Sequence, residues 1–278
     1  MEAFLPQDRY LNINGLRFHY LDWENHNHQP MLLLHGFLSH ASTWDDFALS
    51  QRVHYHVIAL DQRGHGESQW SEDAAYTLDD HFSDIAYFVE ALNLRKFILV
   101  GHSMGGRNAL FYTACISQNI ERLILVEARP GNSPSASEAL KHLIDSLPIQ
   151  VDSLEDVVRA VQTIYPYLSE YICYKMATRG FKQMSDGSFV TRDDLRMRQQ
   201  SQRSDYAIED LWPFLKSIHC QTLIIRGEES LFLSREDAEE MCRLIPQAEW
   251  REVPRATHMP IQENPEAFYR EVSDFLNR

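Results

Sequence analysis

The stretch "LVGHSMGG", residues 99–106, decides the fold, because it joins the end of an apolar run to the start of a helix-forming segment. Its centre reads Gly101-His102-Ser103-Met104-Gly105, a G-x-S-x-G pattern. Glycines two residues either side of a serine allow a strand and a helix to pack closely around a sharp, strained turn. The pattern predicts that Ser103 is held clear of a sheet as a nucleophile, and a plain glycine-rich turn is the alternative reading.

The surrounding chain repeats the same rhythm of a short apolar run followed by a helix-length stretch. Such a rhythm is typical of βαβ units and of a parallel sheet buried on both faces. The apolar runs are "MLLLHG" (31–36), "HVIALD" (56–61), "KFILVG" (96–101), "RLILVE" (122–127) and "TLIIRG" (222–227). Ahead of them, alternation around Asn14-Gly15 predicts a hairpin and thus an antiparallel edge. We predict an α/β fold with helices over residues 41–49, 77–92, 104–117, 234–244 and 265–276.

Between "RLILVEARP" and "TLIIRG" the rhythm fails for about eighty residues, which is longer than an ordinary connection. Helical patterns inside this stretch predict an inserted unit. Ligands of open α/β sheets bind at the carboxyl ends of the strands, so an insertion there would form a lid. We therefore predict a core of residues 1–130 and 216–278, with a helical lid at 131–215.

Composition limits the classes of partner. The 278 residues include 40 acidic and 26 basic side chains, for a net charge of −14, which opposes binding to nucleic acid and to anionic membranes. The four cysteines form no CxxC pair, so neither a zinc site nor a disulfide framework is indicated. The histidines of "ENHNHQP" are interpreted as part of a solvated loop, because no further ligands follow at helical or strand spacing. No metal is therefore expected. The first residues lack a signal-peptide pattern, and the expected location is the cytoplasm.

Two further loops complete a candidate site. "HGF" places Phe37 directly after the first parallel strand, and the backbone N–H groups of Phe37 and Met104 are the natural pair to bind a tetrahedral oxyanion. His258 lies between the strand-like "EWREVP" and the last helix, where a general base could reach Ser103 from another loop at the same sheet edge.

These motifs together resemble the α/β-hydrolase family, and the resemblance covers nearly the whole chain. It is carried by "HGF", "DQRGHGES", "GHSMGG", "RGEES" and "THMP..ENPEAF". The resemblance implies a mostly parallel eight-stranded sheet with helices on both faces, a Ser103–His258 nucleophile and base, and no cofactor. "DQRGHGES" is similar to a turn in the family that we assign to structure rather than to catalysis.

The acid that would orient His258 departs from the commonest family pattern. That pattern has an Asp three residues after the glycine corresponding to Gly227, where this chain has Ser230. The chain is similar to a group of small bacterial serine esterases that carry the acid at the end of the strand after the nucleophile, which here is Glu127. Glu228, Glu229 and a Ser–His dyad without an acid stay open as alternatives.

The resemblance leaves several functions open. We interpret the chain as a serine hydrolase that acts on small-molecule carboxylic esters or thioesters through an acyl-enzyme. Arg107 follows "MGG" as it does in menaquinone-pathway synthases of the same family, where it binds an anionic substrate, although a helix-surface arginine is the alternative. A carbon–carbon bond hydrolase, such a synthase, and a hydrolase-derived ligand-binding protein are the other candidates.

Overall fold

The computed structural model describes residues 5–203 and 208–278. Most of its strands belong to one central sheet, and three short strands lie in the insertion. The strands are β1 (Gln7–Ile13), β2 (Leu16–Asp22), β3 (Pro30–Leu34), β4 (His56–Leu60), β5 (Phe97–His102), β6 (Ile120–Val126), β7 (Gln150–Val151), β8 (Phe181–Gln183), β9 (Phe189–Thr191), β10 (Gln221–Gly227) and β11 (Ala248–Val253).

The α-helices of the described residues alternate with these strands. They are α1 (Asp45–Gln51), α2 (Leu78–Ala91), α3 (Met104–Cys115), α4 (Pro134–Ser146), α5 (Leu154–Ile164), α6 (Glu170–Gly180), α7 (Leu195–Ser201), α8 (Arg235–Leu244), α9 (Pro260–Glu263) and α10 (Pro265–Leu276). Short 3-10 helices cover Ala41–Trp44, Ser117–Asn119 and Trp212–Ser217.

The central sheet has eight strands in the order β1-β2-β4-β3-β5-β6-β10-β11. β1 and β2 form the predicted antiparallel edge, and the other neighbours from β4 to β11 pair in parallel. Asn14 and Gly15 both have positive φ (47° and 77°), as a tight two-residue hairpin turn requires. The predicted mostly parallel eight-stranded sheet is confirmed.

Side-chain alternation along the strands divides the core into two apolar layers. In β3, Leu32 and Leu34 face the layer covered by α2, α3 and α8, while Met31 and Leu33 face the layer covered by α1 and α10. Consecutive strand residues point to opposite faces, so a strand buried on both sides reads as a continuous apolar run. This is the physical origin of the five runs in the sequence.

The insertion between β6 and β10 contains α4 to α7 and packs its own apolar cluster, to which Met259 of the core contributes. The insertion was predicted to be helical, but it also contains a small antiparallel sheet of β7, β9 and β8. These strands have two or three residues each, too few for a hydrophobic period to be recognised in sequence. Its action as a lid, and the domain limits at residues 131 and 215, stay predictions.

None of the helices within residues 5–203 and 208–278 is both long and apolar enough to cross a membrane.

The turn around Ser103 leaves no room for a side chain at Gly105. A Cβ added there would lie 2.5 Å from the backbone oxygens of Leu34, the last residue of β3, and of His35, which follows it.

Gly105→Ala is therefore expected to lower the free energy of unfolding by about 1–3 kcal/mol, measured by denaturant unfolding. At Gly180 the nearest atom to an added Cβ is 3.7 Å away, so Gly180→Ala is the matched control and is expected to unfold like the wild type. Equal unfolding of both variants would contradict the close packing.

Candidate active site

Ser103 lies between the end of β5 and the first residue of α3, with φ 52° and ψ −116°. Non-glycine residues seldom adopt this conformation, and its cost is about 1–3 kcal/mol. The neighbouring strand contributes to holding it, since the Ser103 N–H donates to the Val126 carbonyl at 2.9 Å. The strained turn presents the Ser103 hydroxyl beyond the carboxyl edge of the sheet, as the G-x-S-x-G pattern predicted.

His258 lies in the loop between β11 and α9, where it reaches Ser103. Its Nε2 is 2.9 Å from the Ser103 Oγ. The imidazole of His258 stacks on the Phe232 ring at a centroid distance of 3.8 Å. The backbone carbonyl oxygen of His258 is 2.7 Å from His102 Nε2. These contacts fix both the ring plane and the loop, so the histidine is positioned before any ligand binds.

Glu127 follows β6 directly, and its carboxylate occupies the other side of His258. Its Oε2 is 3.1 Å from His258 Nδ1, and its side chain is fully buried. The Gly227 N–H donates to Oε1 at 2.7 Å, and the Ser230 hydroxyl donates to Oε2 at 2.5 Å. Parallel pairing of β5, β6 and β10 brings the ends of three strands together, which is why residues so distant in sequence converge here.

Ser230 has a role that sequence reasoning missed. It stands where the commonest family pattern has the acid, and its hydroxyl donates to the acid of the neighbouring strand. The same oxygen accepts the N–H groups of Phe232 and Leu233 at 3.1 and 3.0 Å. No sequence signal indicates this contact, because it depends on the distance between two strand ends.

The two alternative glutamates have other partners. A carboxylate oxygen of Glu228 accepts the Arg255 N–H at 3.1 Å, and one of Glu229 accepts the Tyr167 hydroxyl at 2.6 Å. The hydrogen-bond partner of His258 Nδ1 is Glu127. The geometry thus favours Glu127 over the "RGEES" glutamates as the acid.

Burial shifts the pKa values of both His258 and Glu127. It lowers the pKa of His258, which favours the neutral imidazole that a general base requires. Burial raises the pKa of Glu127, while the hydrogen bonds from Ser230 and from the Gly227 N–H act in the opposite direction by stabilising the carboxylate. With Nδ1–H assigned to face Glu127, Nε2 is left to accept the Ser103 hydroxyl proton.

Phe37 and Met104 flank Ser103 as expected for oxyanion donors. Met104 is the first residue of α3, so its N–H has no acceptor within the helix. The loop after β3 lies against Ser103, since a Cβ added at Gly36 would be 3.2 Å from the Ser103 Cβ. Phe37, Ser103 and Met104 line one cavity. Their role as oxyanion donors stays a prediction.

Arg107 belongs to the first turns of α3 and also faces that cavity. Its guanidinium donates to the backbone carbonyls of Arg129 and Glu209 at 2.9 and 2.7 Å. These bonds tie α3 to the segment after β6 and to the end of the insertion. A contact between Arg107 and an anionic substrate stays a prediction.

Two cavities meet at Ser103. A groove of about 460 Å³ extends from Ser103 past Arg107 and Tyr76. A smaller chamber of about 70 Å³ lies between Ser103, His258 and the helices of the insertion. Two separate spaces therefore border the Ser103 side chain.

Among the described residues, one group of possible metal ligands has no member in the lining of either cavity. His26 of the "ENHNHQP" loop meets Asp22 and His56, with one ligand atom of each residue within 4.8 Å of the others. His56 Nε2 is 2.9 Å from Asp22. Sequence spacing could not reveal the group, because Asp22 and His56 lie on β2 and β4, which pair only in the folded sheet.

Comparison with known proteins agrees with the fold. The model of the Alpha/beta hydrolase family matches residues 31–271, so the chain belongs to this family. It is 26% identical over 249 residues to 2-(acetamidomethylene)succinate hydrolase of Mesorhizobium japonicum, covering 89% of this chain and 87% of that enzyme. It is also 26% identical over 261 residues to sn-1-specific diacylglycerol lipase ABHD11 of Danio rerio, covering 89% and 78% of the two chains.

Solved structures extend the likeness to nearly the full length. The crystal structure of E-2-(acetamidomethylene)succinate hydrolase superposes with a TM-score of 0.89 at 24% identity, covering 98% of this chain and all of that chain. This likeness concerns the fold. The family and its named members identify the chain as a hydrolase.

Proposed function

We propose that this hydrolase cleaves small-molecule carboxylic esters or thioesters through an acyl-enzyme. The observation that carries the proposal is the continuous chain of contacts from Ser103 Oγ through His258 to Glu127, at 2.9 and 3.1 Å. A serine hydroxyl is a weak nucleophile unless a positioned base removes its proton as it attacks. The Ser103–His258 contact supplies that base.

The proposed reaction proceeds in two halves. Ser103 Oγ attacks the carbonyl carbon while its proton passes to His258 Nε2, and the N–H groups of Phe37 and Met104 stabilise the oxyanion. The imidazolium, stabilised by Glu127, then donates the proton to the leaving oxygen or sulfur as the bond to the carbonyl carbon breaks. Water repeats the attack with His258 as base, releases the acid and restores Ser103.

The insertion is proposed to act as a lid over this site. The small chamber lies between Ser103 and the insertion, and it includes side chains of α4, α5 and α7. Excluding water strengthens the electrostatic interactions on which the oxyanion depends. One half of the substrate would occupy the chamber, and the other half would occupy the larger groove.

Amide hydrolysis is the second candidate. The name of the Mesorhizobium relative, 2-(acetamidomethylene)succinate hydrolase, includes an amide group, whereas the Danio relative is named as a lipase. The same nucleophile, base and oxyanion donors serve both bonds. Carbon–carbon bond cleavage and synthase-type elimination would use them too, whereas a hydrolase-derived ligand-binding protein would show only weak turnover.

A substrate panel with active-site labelling tests the proposal. We expect turnover of p-nitrophenyl esters or acyl-CoA thioesters of graded length, and covalent labelling by a fluorophosphonate because His258 activates Ser103. Intact-mass spectrometry locates the label. A protein that labels but cleaves only amides or carbon–carbon bonds would reject ester specificity, while a protein that neither labels nor turns over would support a ligand-binding role.

A further inference from the structure

The small chamber beside Ser103 is mainly apolar, yet it contains a buried guanidinium. Its walls come largely from the insertion and include Leu143, Val157, Val161 and Phe181. Arg198 of α7 lies in the same wall and is only 5% exposed. Burying a charged group in apolar surroundings is unfavourable unless partners compensate the charge. The contacts of Arg198 therefore indicate which kind of ligand the chamber could bind.

Those contacts are incomplete. Nη1 of Arg198 donates to the Leu147 carbonyl at 2.8 Å, and Nη2 lies 3.8 Å from Asp193 Oδ2, which is too far for a hydrogen bond. Nε is fully buried and has no partner among residues 5–203 and 208–278. The edge formed by Nε and Nη2 therefore has one donor without a hydrogen bond and one donor held only by a long ion pair with Asp193, although it is the edge that binds a carboxylate with two parallel hydrogen bonds.

Other charged groups of the chamber do not close this edge. Asp193 accepts the Thr191 hydroxyl at 2.9 Å, which holds its carboxylate at its distance from Arg198. Arg192 of the same wall is 3.6 Å from Glu67. An incoming anion would thus meet a guanidinium with unused hydrogen-bond donors, and the Asp193 carboxylate would oppose its binding.

We propose that Arg198 binds a carboxylate on the acyl half of the substrate, which makes the substrate a half-ester or half-thioester of a short dicarboxylic acid. The proposal rests on the proposed ester hydrolysis at Ser103. At about 10–15 Å³ for each water-sized group, a 70 Å³ chamber holds roughly five to seven such groups. A succinyl group fits this measure, with two methylenes and a carboxylate beyond the scissile carbonyl.

The test compares two benzyl esters of equal acyl size, monobenzyl succinate and benzyl 4-methylpentanoate, by chromatography of released benzyl alcohol. The alcohol half, a benzyl group with its ester oxygen, has more non-hydrogen atoms than this measure allows, so the smaller acyl half is expected to enter the chamber. We expect kcat/KM to favour the succinate by 10-fold or more, and Arg198→Met to reduce that ratio by about 10- to 100-fold, as for loss of hydrogen bonds to a charged group. No preference in the wild type would overturn the proposal.

Two further variants separate recognition from a structural effect. Asp193→Asn removes the opposing charge and should raise the succinate preference severalfold, the reverse of Arg198→Met. Arg196 lies on the same helix but pairs with Asp194 and with the Ser71 and Glu72 carbonyls. Arg196→Gln is the matched control and should leave the ratio unchanged. A fall in the ratio in all three variants would indicate a folding defect and refute the assignment.

Binding without turnover keeps the inference distinct from the proposed function. Calorimetric titration of the Ser103→Ala protein with monobenzyl succinate should give binding that is lost in Ser103→Ala/Arg198→Met, while benzyl 4-methylpentanoate should bind both proteins alike. Arg198-dependent binding with no hydrolysis by the wild type would retain the carboxylate site and reject the esterase. Equal binding of the succinate by both proteins would reject the carboxylate site itself.

Discussion

Ser103→Ala is expected to reduce kcat for ester hydrolysis by about 10⁵- to 10⁶-fold and to abolish fluorophosphonate labelling. The reason is that the hydroxyl 2.9 Å from His258 Nε2 is the only group proposed to form the acyl-enzyme. The remaining rate would come from substrate binding and from the oxyanion donors. Single-turnover kinetics with an activated ester measures the loss directly.

The fold should survive this substitution, because alanine occupies less space than serine at the same backbone conformation. Thermal unfolding of Ser103→Ala should therefore match that of the wild type. Ser50→Ala is a suitable control, since the Ser50 hydroxyl bonds to the Phe47 carbonyl away from the site. Near-normal turnover or labelling in Ser103→Ala would remove Ser103 from the mechanism.

Glu127→Gln is expected to reduce kcat by about 10³- to 10⁴-fold, the scale found when a triad acid becomes an amide. The Gly227 N–H donates to Oε1, so the amide oxygen of the glutamine should stay at that position. The amide –NH₂ group would then face His258 Nδ1 and donate to it. This favours the tautomer with the proton on Nε2, which cannot accept the proton of Ser103.

Glu229→Gln is the matched control for this substitution. Glu229 accepts the Tyr167 hydroxyl at 2.6 Å on the side of the insertion, and its replacement should change kcat less than threefold. Steady-state kinetics of the two variants on one ester gives the comparison. If Glu229→Gln lost activity and Glu127→Gln retained it, the acid would have to be reassigned to the "RGEES" turn.

Much of the central sheet could be predicted from local patterns. The apolar runs predicted the parallel strands, and Asn14-Gly15 predicted the hairpin. The helix predicted over residues 265–276 has the same limits in the structure, Pro265–Leu276, and the Asn264 Oδ1 that precedes it accepts the Ala267 N–H at 3.3 Å. These features depend on residues close together in the chain, whose preferences act before any tertiary contact forms.

The insertion was harder to predict, because part of its structure depends on contacts between residues that are not close together in the chain. Its helices were recognisable from their helical patterns, but its three short strands are too short to show a hydrophobic period. β8 begins at Phe181, directly after the end of α6 at Gly180, and it pairs with β9. Short strands are stabilised by the strands with which they pair, so the residues of one short segment alone predict them poorly.

The sequence by itself determined the family, the sharp strand-to-helix turn at Ser103 and the loop position of His258, because each follows from a short pattern with its own backbone requirement. Only the tertiary structure decided which carboxylate contacts His258, since Glu127 and Glu229 are equally acidic in sequence and differ only in position. Tertiary packing alone also buried Arg198 beside Ser103. Distances across strand ends and across the insertion arise from the packing of distant segments, and no local pattern encodes them.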